Sequence, residues 1–302
     1  MNEAPAAASI GGSENERAVA PFGRRRLQVT GIDELGAYRV LRVADPDESC
    51  APSRAGQFAM LAAVERWGGG TDERPYLARA FSIARRRDGE SHYLMEDVGP
   101  GTKRLCELTA GDEVWALGPL GQGFAAPKDG RRALLVGGGV GIAPLAIWQD
   151  ELESEAGLTR GPENSTSAAQ ERATTVLLGF RDGPRAQGAA LLRGARVATD
   201  DGSTGHHGLI TDLLEEELER DAHATVYSCG PSPMLEAVRA ICATRGVPAQ
   251  LALEAGMACG FGACYGCVVP KRGGGYLRVC LDGPVIDAAE LDCVEAHAGA
   301  PA

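Results

Sequence analysis

From Leu27 to Leu117, apolar and polar residues alternate in short runs broken by turn residues: Leu27–Thr30, Tyr38–Val43, Gln57–Ala62, Ala80–Ala84, His92–Glu96 and Glu113–Leu117. A period of two sends successive side chains to opposite faces. Each run therefore predicts a strand with one buried face, and strands at this spacing predict a small antiparallel barrel. The pattern changes at Arg131–Leu145, where an apolar run meets glycines at 137, 138, 139 and 141 and then turns apolar again. Strand, glycine turn and helix are the parts of a dinucleotide-binding unit, in which missing Cβ atoms let the backbone approach a pyrophosphate at the helix N-terminus. The run reads G-G-G-x-G, not the G-x-G-x-x-G of ordinary dehydrogenases.

Further strands are predicted at Thr174–Phe180, from Val197, and at Ala224–Cys229. Helices are predicted over Asp212–Arg220, capped by Thr211, and over Leu235–Thr244. The Ser, Thr, Gly, Pro and Glu of Glu155–Arg172 predict a mobile surface loop inside this second unit. Beyond it, Gln250–Glu254 predicts a strand leading into a cysteine-rich loop, and Val268–Pro270 with Tyr276–Cys280 predict a hairpin about Gly273–Gly275. Residues 1–23 lack periodicity and predict a disordered leader. The expected division is 24–127 for the barrel, 128–249 for the nucleotide-binding unit and 250–302 for the cysteine segment. The fold class is thus an antiparallel β-barrel, a parallel α/β sheet and a small C-terminal domain.

Composition narrows the function. A length of 302 residues fits two or three domains. No run of about twenty apolar residues occurs, so a membrane span is not expected. A net charge of −11 lacks the basic excess that nucleic-acid phosphates require. Arg24, Arg25 and Arg26 are expected as solvated charges at a strand edge. His206 and His207 are expected as solvated loop residues, since adjacent histidines without further ligands rarely close a metal cage.

The nine cysteines carry the sharpest signal. Cys259, Cys264, Cys267 and Cys280 are spaced C-x4-C-x2-C-x12-C, with small residues between the first three, so that a loop can wrap an inorganic core and offer N–H groups to its sulfurs. The first three spacings match plant-type two-iron ferredoxins; the last gap is shorter. Four thiolates also suit tetrahedral zinc, although zinc sites usually pair two C-x2-4-C units. A disulfide framework is not expected, because nothing at the N-terminus resembles a signal peptide and a chain of this length does not need staples. Five thiols outside the cage, at 50, 106, 229, 242 and 293, imply a reducing, cytoplasmic setting.

Arg79-Ala80-Phe81-Ser82, then Gly99–Thr102, then the glycine turn, in this order, resemble the ferredoxin-NADP-reductase superfamily. That resemblance implies that Arg79 meets the FAD pyrophosphate, with Ala80, Phe81 and Ser82 along the flavin. It implies that the backbone of Leu94, Met95 and Glu96 reaches the ribose and adenine side, while Gly101 and Thr102 hold the pyrophosphate. Gly138, Gly139 and Gly141 would receive NAD(H), and Cys229-Gly230-Pro231 would lie beside the nicotinamide with the Cys229 thiol near the flavin.

With Glu254–Cys267 and Val279–Val285 added, residues 24–290 resemble the electron-transfer subunits of NAD-linked dihydroorotate dehydrogenase, in which the short last cysteine gap is normal. Two departures stand out: Ala80 where that family often has proline, and the insertion near residue 165. The resemblance implies a [2Fe-2S] cluster, FAD and NAD(H), and a separate FMN-containing catalytic subunit, two copies of each, in pyrimidine biosynthesis. Flavin and cluster subunits of sulfhydrogenases or ferredoxin-dependent NADPH reductases have almost the same cysteine pattern. A flavin-free metal-binding interaction module is the alternative from another class.

Overall fold

The computed structural model describes residues 23–45, 53–68, 74–155 and 174–294. The expected leader, Cys50 and nearly all of the 155–172 loop lie outside them. Six strands form the first unit: β1 (Arg25–Leu35), β2 (Tyr38–Ala44), β3 (Phe58–Ala63), β4 (Arg79–Arg87), β5 (Glu90–Glu96) and β6 (Glu113–Leu120). They close in the order β1-β2-β5-β4-β3-β6, antiparallel throughout. The alternation seen in the sequence fills the barrel: Leu27, Val29, Leu41, Leu61, Tyr93 and Val114 are buried. The short helix α1 (Pro100–Cys106) closes one end with Leu105. Of the three arginines, Arg25 is not a solvated charge. Its guanidinium pairs with buried Asp45 and donates to the Gly118 carbonyl at 3.0 Å.

The second unit is a seven-stranded sheet. Its strands are β7 (Arg132–Gly138), β8 (Thr175–Phe180), β9 (Ala195–Thr199), β10 (His206–His207), β11 (Ala224–Cys229), β12 (Ala249–Ala252) and, after the hairpin β13 (Val268–Pro270) and β14 (Tyr276–Arg278), β15 (Val285–Asp287). Their order is β10-β9-β8-β7-β11-β12-β15, parallel except for β15. The helices are α2 (Ile142–Glu155), the single turn α3 (Gly183–Ala186), α4 (Ile210–Arg220), α5 (Ser232–Arg245) and the single turn α6 (Val279–Asp282). From β7 the chain proceeds to β8 on one side and returns to β11 on the other. The carboxyl ends of β7 and β11 therefore bound the crevice where open α/β sheets take ligands.

Several expectations change. The strand expected to open the cysteine segment is β12, a buried member of the sheet, and β15 pairs with it through Leu251 and Ile286. Apolar Leu251 and Ile286 reach burial only against the sheet, which is why both ends of the segment join it. His206 and His207 form strand β10 beside β9 instead of a loop. Helix α4 starts two residues earlier than expected, and Asp212, not Thr211, satisfies its first turn by accepting the Leu209 N–H at 3.0 Å. Cys280 lies on α6, just past the hairpin strand expected to carry it.

Barrel and sheet are joined by two guanidinium clamps. Arg85 of β4 pairs with Asp150 of α2, which also takes Arg193 at 2.9 Å. Arg185 of α3 bridges its own Asp182 and Glu96 of β5, the latter at 2.6 Å.

Candidate functional site

A cleft of about 1360 Å³ lies between barrel and sheet, over the carboxyl ends of β7 and β11. Every cofactor-side residue expected from the sequence, from Arg79 through Pro231, lines it. Distant motifs meet here because β4 starts, α1 starts and β7 ends on the same side of the junction. Arg79 has no ion pair among the described residues; its Nη1 donates to the Leu77 carbonyl at 2.6 Å, and its guanidinium carbon stands 5.9 Å from the centre of the Trp67 ring. A Cβ on buried Gly101 would come within 2.6 Å of Arg79 Nε. The glycine is what lets the guanidinium lie directly over the first turn of α1. A planar cation beside a bare helical turn suits a diphosphate.

Thr102 is held within its own turn. Its hydroxyl accepts the N–H groups of Val98 and Gly99, both at 3.0 Å, so the side chain serves its own turn. Leu94 and Met95 are buried and can face a ligand only through their backbone. That backbone is open on one edge, because β4 pairs with β5 only from Tyr93 to Glu90 while β2 continues to Glu96. Phe81 and Ser82 are half-buried on the cleft wall, and Ala80 is exposed.

The glycine turn is built for a protein contact as much as for a ligand. A Cβ on Gly141 would sit 2.5 Å from the Cys229 carbonyl oxygen, and one on Gly138 would sit 2.6 Å from Met234 Sδ. The two turns at the switch point thus pack backbone against backbone. Gly139, at φ +55°, is the one of the three with room, its nearest neighbour being the Tyr38 hydroxyl at 4.0 Å from the ideal Cβ. Burial, with Glu254 adding to it, pushes the Cys229 thiol up to about 12. It stays protonated at neutral pH and can offer an S–H to the cleft; it is no nucleophile.

The cysteine loop has a different construction. Gly260 and Gly262, at φ +80° and +84°, turn the chain around the thiols. Gly262 N–H donates to Cys280 Sγ at 3.1 Å, Cys280 N–H to Cys267 Sγ at 3.4 Å and Gly266 N–H to Cys264 Sγ at 3.4 Å. Burial raises the Cys259 thiol, but the N–H groups of Phe261, Cys264 and Ala263 together with the Cys264 thiol outweigh it and bring Cys259 down to about 7. Among the described residues no three of His, Cys, Asp and Glu gather as the ligands of one ion would. Four thiols within a ring of N–H donors fit a two-iron core.

Sequence reasoning missed Tyr38, Arg185 and Asp200 on the cleft wall. Tyr38 is fully buried and its hydroxyl has no hydrogen-bond partner among the described residues. In the sequence it is simply the first residue of an alternating strand. Arg185 sits in a stretch without a motif, and only the fold brings it to Glu96.

Residues 254–292 match the family described as the iron-sulfur cluster binding domain of dihydroorotate dehydrogenase B. The chain is 39% identical over 287 residues to the dihydroorotate dehydrogenase B (NAD(+)) electron transfer subunit of Geobacillus thermodenitrificans, covering 89% of this chain and 99% of that one. It is 37% identical over 243 residues to the probable counterpart of Methanopyrus kandleri, covering 80% and 81%. The fold resembles a solved NADH-dependent reduced ferredoxin-NADP oxidoreductase with TM-score 0.68, 23% identity and 90% and 92% coverage. It also resembles phthalate dioxygenase reductase, with TM-score 0.55, 17% identity and 89% and 78% coverage. With cleft, cysteine ring and full-length similarity in agreement, the chain belongs to the family of dihydroorotate dehydrogenase B (NAD(+)) electron transfer subunits.

Proposed function

We propose that this chain carries electrons from a separate FMN-containing, dihydroorotate-oxidising subunit to NAD+, using a [2Fe-2S] cluster on Cys259, Cys264, Cys267 and Cys280 and FAD in the cleft. The observation that carries the reading is continuity: residues 254–258 line the cleft and run directly into Cys259. Bound FAD would supply the exchange between hydride and single electrons that joins a nicotinamide to a cluster. In this reading Arg79 and the Gly101 backbone hold the diphosphate, and the free edge of Leu94, Met95 and Glu96 receives the adenosine side. Phe81 and Ser82 flank the ring, with Ala80 contributing backbone. Thr102 keeps the α1 turn open, Gly138, Gly139 and Gly141 with Gly230 and Pro231 form the nicotinamide crevice, and Cys229 keeps its proton beside it.

The division at 24–127, 128–249 and 250–302 is part of the proposal, the last segment being pinned to the sheet by β12 and β15. Among the described residues no helix is long and apolar enough to cross a membrane; we place the protein in the cytoplasm, as two copies with two of the FMN subunit. The test is anaerobic mixing. The isolated chain should accept hydride from NADH and reduce an artificial one-electron acceptor, and should be untouched by dihydroorotate. Adding the FMN subunit should create dihydroorotate-dependent NAD+ reduction. Bleaching of the flavin by dihydroorotate without that subunit would overturn the reading.

A further inference from the structure

A second hollow, of about 200 Å³, opens beside Cys259 between the barrel and the cysteine loop. Two residues line both this hollow and the large cleft: Ala78, just before β4, and Ala258, covalently joined to Cys259. Each contributes a single methyl group to the boundary. The loop beyond them is fixed in depth. A Cβ on Gly260 would come within 2.6 Å of Met60 Cγ and 3.2 Å of Leu120 Cδ1, so the loop is pressed onto β3 and β6 as closely as a backbone allows.

We infer that Ala78 and Ala258 are the partition across which single electrons pass between the flavin in the cleft and the cluster, their small size setting the separation. The inference rests on the relay reading above. Electronic coupling falls steeply with distance through protein, and with Gly260 seated on Met60 the thickness at positions 78 and 258 is what remains adjustable. With both groups bound, one electron would leave the reduced flavin as one ferric iron became ferrous, no bond to the protein would form or break, and any proton released by the flavin would have water in the open cleft to take it. Ala78 and Ala258 act as positioning residues: they touch both compartments and react with neither.

The experiment compares the FAD- and cluster-loaded parent with Ala258→Leu and, from the barrel side, Ala78→Leu, after iron, sulfide and FAD contents are matched. On rapid anaerobic mixing with NADH, the interval between flavin bleaching and appearance of the reduced-cluster magnetic resonance signal should lengthen several-fold in each. The fluorescence lifetime of the oxidised FAD, shortened by electron exchange with the cluster, should rise in parallel without any turnover. Ala258→Ser, almost the same size, should keep the parent interval and lifetime. Loaded leucine variants with the parent's interval and lifetime would overturn the partition. A parent whose cluster never receives electrons from NADH would instead overturn the relay reading on which it stands.

Discussion

The turn at Gly137–Gly141 and the loop at Cys259–Cys267 are both rich in glycine, yet the glycines answer to different demands. In the turn, Gly138 and Gly141 are buried because a neighbouring chain segment occupies the space of a Cβ, the Cys229 carbonyl for Gly141 and Met234 for Gly138. In the loop, Gly260 and Gly262 need left-handed backbone as well as close contacts, with Met60 and Leu281, and the geometry they permit aims N–H groups at sulfur. The turn sits between two strands buried in a parallel sheet, so protein packing alone holds it. The cysteine arm has a two-stranded hairpin, one turn of helix and few buried apolar side chains, chiefly Val269, Val279 and the thiols Cys267 and Cys280. Its form therefore depends on what the thiols bind, while the form of the turn does not.

Removing a ligand should break this comparison most visibly. Cys264→Ser and Cys280→Ser should each abolish bound iron and acid-labile sulfide, and should make the arm between β12 and β15 sensitive to protease while the FAD remains. Iron and sulfide assays with limited proteolysis check this, and unchanged iron would show the ligand set to be wrong. Buried Cys280, which accepts the Gly262 N–H at 3.1 Å, should disturb the arm more than exposed Cys264.

The turn should respond through stability instead. Gly141→Ala forces a methyl group against a carbonyl oxygen at 2.5 Å, where both partners are backbone. Overpacking of that kind should cost about 3 kcal/mol. Gly139→Ala has space and bears only its positive φ, a cost of about 1 kcal/mol. Denaturant unfolding of both variants should rank them in this order, and iron content should be normal in each.

The contrast also explains what could be read in advance. The barrel was legible because each strand states its buried face by alternation, and the cage because four thiols at fixed spacing have few other uses. The place of β12 in the sheet was not legible because Leu251 and Ala252 are apolar in any setting, and only pairing with β11 and β15 reveals what buries them. The role of Gly141 was legible as closeness, but the object approached includes the Cys229–Gly230 backbone, which lies far along the chain and beyond the reach of any local pattern. Tyr38 and Arg185 carry no local signature, since their significance arises only where barrel meets sheet.

A smaller effect should separate cleft from arm on the ligand side. Arg79→Ala removes the guanidinium over Gly101, and charge-assisted hydrogen bonds are worth about 1.5–3 kcal/mol each, so FAD affinity should fall about tenfold or more. Arg79→Lys keeps the charge but loses the planar fork and should recover only part of it. Iron content should not change in either variant. Equilibrium dialysis of FAD with parallel iron assay makes the measurement, and unaltered affinity would move the diphosphate away from Arg79.

The mildest expected effect concerns the junction that forms the cleft, and it has a definite sign with pH. Burial pushes the Asp150 carboxyl upward, but the Arg85 guanidinium, with hydrogen bonds from Arg85 and Arg193 and the charge of Arg87, outweighs it and holds the group below its ordinary 3.8. A carboxyl with a lowered folded value binds fewer protons folded than unfolded. Its stabilisation is therefore fully present above pH 3.8 and is lost as pH falls through the lower folded value. Asp150→Asn should cost about 1 kcal/mol at neutral pH, the upper end for an ion pair that water still partly reaches, and should flatten the acid limb of stability. Iron content at neutral pH should be the same in parent and variant. Urea midpoints of both proteins at neutral pH and at successively lower pH provide the test: parallel acid limbs would show that Asp150 does not couple barrel to sheet through its charge.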